Sequence, residues 1–359
     1  MTQDEKYFVA LSTFTQFGSV KIEALINYFE SPERIWKASK SELVKTGLSE
    51  RLVEEFCGHR DKFDLDDYLR KLAELRIEVI TKSDPNYPFN LKSISNAPFV
   101  LYCKGKILPS DSTSIAVIGT RKMTNYGRDV AEHFTKSLVE FGVTIVSGLA
   151  FGVDSIAHET AILHKGRTIA VIGCGLDRIY PAGNLNLAKK IIENGAILSE
   201  YPLGYPAFRS NFAARNRIIS GLSKGVLVVE GEKRSGTLLT ASHAADQGRT
   251  VYAVPGSIFS VYSQASHYLI QNGAQIAVSP HDIIADIGAT SVLSCEVHSV
   301  LPTDEIEEKI YSLLVSDSLH LDELSRIIGL RVSEVSQKLT VMELKGIVKH
   351  IGNGIYRKC

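Results

Sequence analysis

The 359-residue chain is poor in the features that mark secreted, metal-binding or membrane proteins. Its five cysteines, at positions 57, 103, 174, 295 and 359, are scattered, and none forms a CxxC pair. Neither a disulfide framework nor a zinc site is expected, and a reducing compartment fits. No uninterrupted apolar run reaches the about 20 residues needed to cross a bilayer, so no membrane role is expected. The start, Met1-Thr2-Gln3-Asp4-Glu5-Lys6, lacks a signal-peptide pattern, and a cytoplasmic protein is expected. Net charge is also missing, with 40 Lys and Arg against 40 Asp and Glu. That balance excludes a long-range field for nucleic acid, so any such site must be a local patch. No nucleophile elbow, HExxH, P-loop or EF-hand occurs. No internal repeat is visible beyond a strand–helix alternation.

What is present is an ordinary soluble composition, 44% hydrophobic and 22% charged. The length allows two or three domains. Residues 1–75 read as short helices, from the helical spacing of Ile22, Leu25, Ile26 and Phe29, then Leu52, Val53 and Phe56. With the tight turn Thr46-Gly47-Leu48-Ser49, this part resembles a SAM-like or helix-hairpin-helix module. It can serve either phosphate binding or packing.

Residues 76–288 alternate short apolar runs with amphipathic helices. The runs are Ile115 to Ile118, Val143 to Val146, Thr168 to Ile172, Ala196 to Leu198, Val226 to Val229 and Val251 to Val254. Strands apolar throughout imply a parallel sheet covered on both faces. The fold class is therefore α/β, a Rossmann-like, doubly wound, mainly parallel sheet. Residues 289–302 read as a linker. Residues 303–359 read as three helices and a β-hairpin around Gly352-Asn353-Gly354, a winged helix.

In such sheets ligands sit beyond the carboxyl ends of the strands. The loops there are Gly119-Thr120-Arg121-Lys122; Ser147-Gly148-Leu149-Ala150-Phe151-Gly152-Val153-Asp154; Gly173-Cys174-Gly175-Leu176-Asp177; Ser199-Glu200-Tyr201-Pro202; and Glu230 to Thr237. Arg121 stands where a GxGxxG fingerprint needs its second glycine, so neither NAD nor FAD is expected, nor any other cofactor. Ser235-Gly236-Thr237 at a helix start is a plausible phosphate cradle. Asp154, His158, Asp177, Glu200 and His243 are scattered acid–base candidates without a constellation. Asp154 and His158 are better read as buttressing a helix start, and Asp177 with Arg178 as ordering a loop.

One run dominates, from Phe208 to Gly221. Three arginines (Arg209, Arg215, Arg217) fall within nine positions beside Phe208 and Phe212. From Tyr205 to Arg234 there are six basic residues against two acidic ones. Basic groups with interleaved rings suit single-strand binding. The competing reading is that these arginines pair with internal acids.

Together these loops resemble the DprA/Smf family of DNA-processing proteins. The matching residues include Gly119-x-Arg121, Ser147-Gly148-Leu149-Ala150-x-Gly152-x-Asp154, Gly173-x-Gly175-x-Asp177-x-x-Tyr180-Pro181, Phe212-x-x-Arg215-Asn216-Arg217 and Ser235-Gly236-Thr237. The resemblance implies a non-catalytic, homodimeric protein. It would bind and protect single-stranded DNA and load RecA recombinase during natural transformation and recombination; duplex binding stays open. It further implies that Arg121 and Arg209 contact phosphate and Phe212 stacks on a base. Arg215, Asn216 and Arg217 would line the groove, and Ser235, Gly236 and Thr237 would cradle phosphate. Lys122 and Gly148 complete the expected interface. The loop Tyr180 to Asn184 lacks a basic residue that relatives often carry. The alternative is a nucleotide-binding enzyme of the lysine-decarboxylase-like, phosphoribohydrolase group, of whose signature only fragments occur. The winged helix offers Glu334, Gln337, Lys338 and Glu343 where a base-reading helix would need donors, so partner binding or weak DNA contact is expected of it.

Overall fold

The computed structural model describes residues 2–233, 235–289, 304–316, 319–344, 347–350 and 354–358. It divides into two units, Met1–Ser291 and Val292–Cys359. Apart from Ala289, the expected linker lies outside the described residues.

The first unit is built on nine strands, β1 (Glu78–Thr81), β2 (Val100–Gly105), β3 (Ser114–Ile118), β4 (Thr144–Ser147), β5 (Thr168–Val171), β6 (Gly195–Ser199), β7 (Gly225–Val228), β8 (Thr250–Ala253) and β9 (Gln275–Ile276). Their order in the sheet is β1-β2-β6-β5-β4-β3-β7-β8-β9. From β6 to β9 all neighbours run parallel, with Ile115 opposite Gly225 and Ala116 opposite Val226. The edge pair is antiparallel, β1 on β2 and β2 on β6. Strands β3 to β7 are buried along their whole length, as unbroken apolar runs require.

Helices cover both faces. On one, Asn125–Glu140, Val153–Leu163 and Pro280–Ile287 bury Phe134, Leu138, Ile156 and Ile283 against Ile115, Val117 and Ile145. On the other, Arg209–Leu222 and Gly236–Asp246 bury Ile218, Ile219, Ala241 and Ala244 against Ala116, Ile118 and Val226. The chain winds outward from β3 to β6 and then returns beneath the sheet, through Arg209–Leu222, to lay β7 on the other side of β3. That reversal makes the carboxyl ends of β3 and β7 the switch point, where open α/β sheets leave a crevice. The sequence reading did not mark the helices Leu185–Asn194, Gln264–Gln271 and Pro280–Ile287. After β8 the sheet gains only the two-residue edge strand β9.

Six helices, from Gln3–Thr13 to Leu65–Glu74, precede β1. They enclose an aromatic core of Phe14, Phe17 and Phe56 with Leu25, Ile35 and Leu43. Val9, Tyr68 and Leu72 also pack with sheet residues Val100, Tyr102 and Ala170. The Tyr102 hydroxyl meets Ser12 Oγ at 2.6 Å. This shared packing crosses the boundary expected near residue 75.

In the second unit, helices Glu305–Ser316, Leu321–Ile328 and Val332–Leu344 close around Ile310, Leu314, Leu324, Val335, Leu339 and Met342. Strand Ile355–Lys358 pairs antiparallel with Val348–His350 and with Leu319–His320. This is a winged helix, and Gly352 and Asn353 of the expected hairpin turn lie outside the described residues. Lys338, a cation of the third helix, is engaged by Asp304.

Candidate nucleic-acid interface

A pocket of about 1310 Å³ opens over the switch point. One wall is the helix Arg209–Leu222. Residues at i, i+3, i+4 and i+7 share a helix face, which here sets Arg209, Phe212, Ala213 and Asn216 along the pocket. Arg121 and Lys122 enter from the loop after β3, and Ser235, Gly236 and Thr237 from the loop after β7. Arg121, Lys122 and Arg209 are exposed, and among the described residues none of their side chains pairs with a carboxylate. With Lys233, also exposed and lining the pocket, four cations among the described residues without a carboxylate partner thus rim one concavity of a chain with no net charge.

The backbone adds to this field. Helices Arg209–Leu222 and Gly236–Asp246 begin at Phe208 and Ser235, and neither residue caps its helix through a side chain. Their first N–H groups and the positive ends of their dipoles are left for an anion. By contrast, Thr124 Oγ1 caps the helix Asn125–Glu140 by accepting from the Gly127 N–H at 3.1 Å. Thr124 is itself held by the buried Glu230 carboxylate, which accepts from its N–H at 2.9 Å and its hydroxyl at 2.7 Å. This contact ties the β3 loop to the β7 loop. Gly152, at φ +82°, lets the β4 loop press on the Arg121 backbone, since a Cβ there would lie 2.8 Å from the Arg121 Cα.

Other expected contacts fall elsewhere. Arg215 is only 5% exposed and forms the pocket floor. Its Nη1 donates to the Gly148 carbonyl at 2.8 Å and to the Val171 carbonyl. Burial pushes its guanidinium down to about 10 against the pull of the Asp154 carboxylate. Burial raises Asp154, whose carboxylate Arg215 and the N–H groups of Ala150 and Gly148 help to hold. Gly148 is needed for room, because a Cβ there would stand 2.8 Å from both Arg215 Nη2 and Asp154 Oδ2. Its N–H and carbonyl are both used internally, which corrects the expectation that it faces a ligand.

Arg217 points the other way. It makes a two-pronged pair with Glu200, at 2.6 and 3.0 Å, away from the pocket. Residues two apart on a helix do not share a face. Arg215 is thus a buried group that lines the floor of the pocket, while Arg217 is an internal ion-pair partner that does not line it, contrary to the expected lining role. The Ser235 N–H donates to the Glu232 carbonyl at 3.1 Å, so the open amides of that cradle are those of Gly236 and Thr237.

Phe212 is also more committed than expected. The Arg215 guanidinium lies 5.8 Å over its ring. The Tyr180 ring packs on it at 5.2 Å. Tyr180 lines the pocket, and the sequence reading assigned it no role. Of the acid–base candidates, His158 is buried, bonds Thr168 Oγ1 at 2.6 Å and is pushed down to about 3 by burial. Asp177 accepts from the Gly204 N–H at 2.9 Å and orders its loop. Among the described residues no group of His, Cys, Asp and Glu side chains is disposed to hold a metal.

The open, mainly parallel α/β sheet with a cationic cleft at its switch point places the first unit in the doubly wound class. Residues 78–288 match the family described as DNA recombination-mediator protein A, and residues 298–354 match the DprA winged helix domain. The chain belongs to this DprA/Smf family. It is 33% identical to Protein Smf of Synechocystis sp., with 96% of each chain covered. It is 40% identical to DNA processing protein DprA of Bacillus subtilis, over 74% of this chain and 94% of that one. The X-ray structure of DNA processing protein A from Streptococcus pneumoniae superposes with a TM-score of 0.68 at 34% identity, over 80% of this chain and 98% of that one. DNA processing protein A of Helicobacter pylori, described for its unique single-stranded DNA binding mode, superposes with a TM-score of 0.53 at 30% identity. That match covers 59% of this chain and 95% of that one.

Proposed function

We propose that the chain binds single-stranded DNA in the switch-point pocket, protects it, and passes it to RecA recombinase during natural transformation and recombination. It acts as a homodimer in the cytoplasm and catalyses no bond change. The observation that carries this reading is the set of four cations, Arg121, Lys122, Arg209 and Lys233, unpaired among the described residues, around a concavity into which two uncapped helices open. Phosphates along a flexible strand suit such a rim. The non-catalytic part is supported by the internal commitments of Asp154, His158, Glu200 and Glu230.

The test is a titration of single- and double-stranded oligonucleotides of rising length at two salt concentrations. Single strands are expected to bind more tightly than duplexes of equal length. Their log affinity should fall with log salt by about 0.7 per phosphate contacted. Equal affinity for duplex and single strand, or no salt dependence, would overturn the reading.

A further inference from the structure

We infer that Glu230 is a positioning residue for strand binding: its buried carboxylate clamps the loop that carries Arg121 and Lys122, so both cations stand over the pocket before a strand arrives. This rests on the single-strand reading above and names what orders its phosphate contacts. Glu230 lies just past β7 and is 2% exposed. It holds the loop at two points. Its carbonyl accepts from the Thr120 N–H at 2.8 Å, one residue before Arg121. Its carboxylate oxygens accept from the N–H and the hydroxyl of Thr124, two residues after Lys122. Arg121 and Lys122 therefore sit in a short span fixed at both ends by one residue. Gly127 leaves the room that the carboxylate fills, since a Cβ there would collide with Glu230 Oε2.

The clamp is itself anchored. The Gly231 N–H donates to the Tyr262 carbonyl at 2.6 Å, and the Gly231 carbonyl accepts from the Ala265 N–H at 2.9 Å. The carboxylate thus projects from backbone that is held on its far side. On the loop side, Thr124 Oγ1 donates to Glu230 and accepts from the Gly127 N–H, so the clamp runs on into the first turn of the helix Asn125–Glu140. Fold stability alone does not account for this arrangement. Among the described residues no Lys, Arg or His pairs with Glu230, and a carboxylate buried without a counter-charge is costly. What it supplies is order. The Arg121 and Lys122 side chains make no hydrogen bond among the described residues, so the clamped backbone is what places them. Groups ordered beforehand lose less freedom when a ligand arrives.

The test is a mutant cycle in the full-length protein, read by fluorescence anisotropy with an oligothymidylate at three salt concentrations. Thr124→Val removes the hydroxyl and keeps the N–H, while Glu230→Gln keeps the shape and removes one acceptor. Each is expected to weaken binding about tenfold with the salt slope unchanged, because the same phosphates are reached at a higher ordering cost. Thr124→Ser should restore what Thr124→Val loses. In an Arg121→Ala/Lys122→Ala background, Thr124→Val and Glu230→Gln should have no further effect, because nothing is left for the clamp to place. A merely structural role, such as loss of the helix cap, would lower affinity by the same factor in both backgrounds and would overturn the proposal. So would wild-type affinity in both Thr124→Val and Glu230→Gln, or Thr124→Ser binding as poorly as Thr124→Val. If Glu230→Gln does not fold, the half-buried Thr124 decides the matter alone. A wild type that binds no single strand, or an Arg121→Ala/Lys122→Ala protein that binds as wild type, would fail the pocket reading itself, a result distinct from these.

Discussion

Replacing Arg121 and Arg209 together by alanine is expected to cut single-strand affinity at least about tenfold at moderate salt. It should also flatten the slope of log affinity against log salt by about 1.4, which is two phosphate contacts at about 0.7 each. The loss should be the same for every base sequence, because phosphate contacts carry no sequence information. Both side chains are exposed, and among the described residues neither pairs with a carboxylate, so their removal leaves no buried group unsatisfied. Thermal stability should stay within about 0.5 kcal/mol of wild type, as for surface substitutions generally. Anisotropy titrations at three salt concentrations, with a melting curve, check both halves. An unchanged salt slope would place the phosphate track elsewhere on the surface.

Arg215→Ala should do the reverse, acting on the fold before the ligand. The guanidinium is the donor to the Gly148 and Val171 carbonyls and the charge that compensates Asp154. Its removal leaves a buried carboxylate without a counter-charge, a change that costs about 3–5 kcal/mol. In a domain of this size that lowers the melting temperature by about 6–20 °C. Arg215→Lys should recover little, since a point charge cannot reproduce the planar fork that serves two carbonyls at once. Calorimetry or circular dichroism decides it. A variant as stable as wild type that had lost single-strand binding would make Arg215 a ligand contact after all.

The contrast between these arginines shows what the sequence could and could not convey. The βα alternation was legible because each strand of a doubly wound sheet is an unbroken apolar run, and β3 to β7 carry that signature without exception. The position of the site followed from topology. Which arginines face the ligand did not follow from their density. The spacing of the run held part of that information: Arg209, Phe212, Ala213 and Asn216 fall on the helix face that borders the pocket, with Arg215 buried beneath them at its floor, while Arg217 turns elsewhere. Read as a helix instead of a basic cluster, the run separates groove residues from internal ones. The partners that bury Arg215 and Arg217 were not legible, because Gly148, Val171 and Glu200 come from other loops and strands. Tyr180 was overlooked for a related reason. Its place in the pocket depends on a contact with Phe212, 32 residues away in the chain. The antiparallel placement of β1 and β2 was likewise invisible in strands whose composition resembles the rest.

Photo-crosslinking a single strand carrying 4-thiothymidine to the full-length protein, with the adducts mapped by mass spectrometry, tests the central claim most directly. Adducts are expected on peptides from the loop around Arg121, the loop around Tyr180 and the start of the helix Arg209–Leu222, and they should vanish with excess unlabelled single strand. Adducts confined to the N-terminal helices, to the β9 edge or to the winged helix would contradict it.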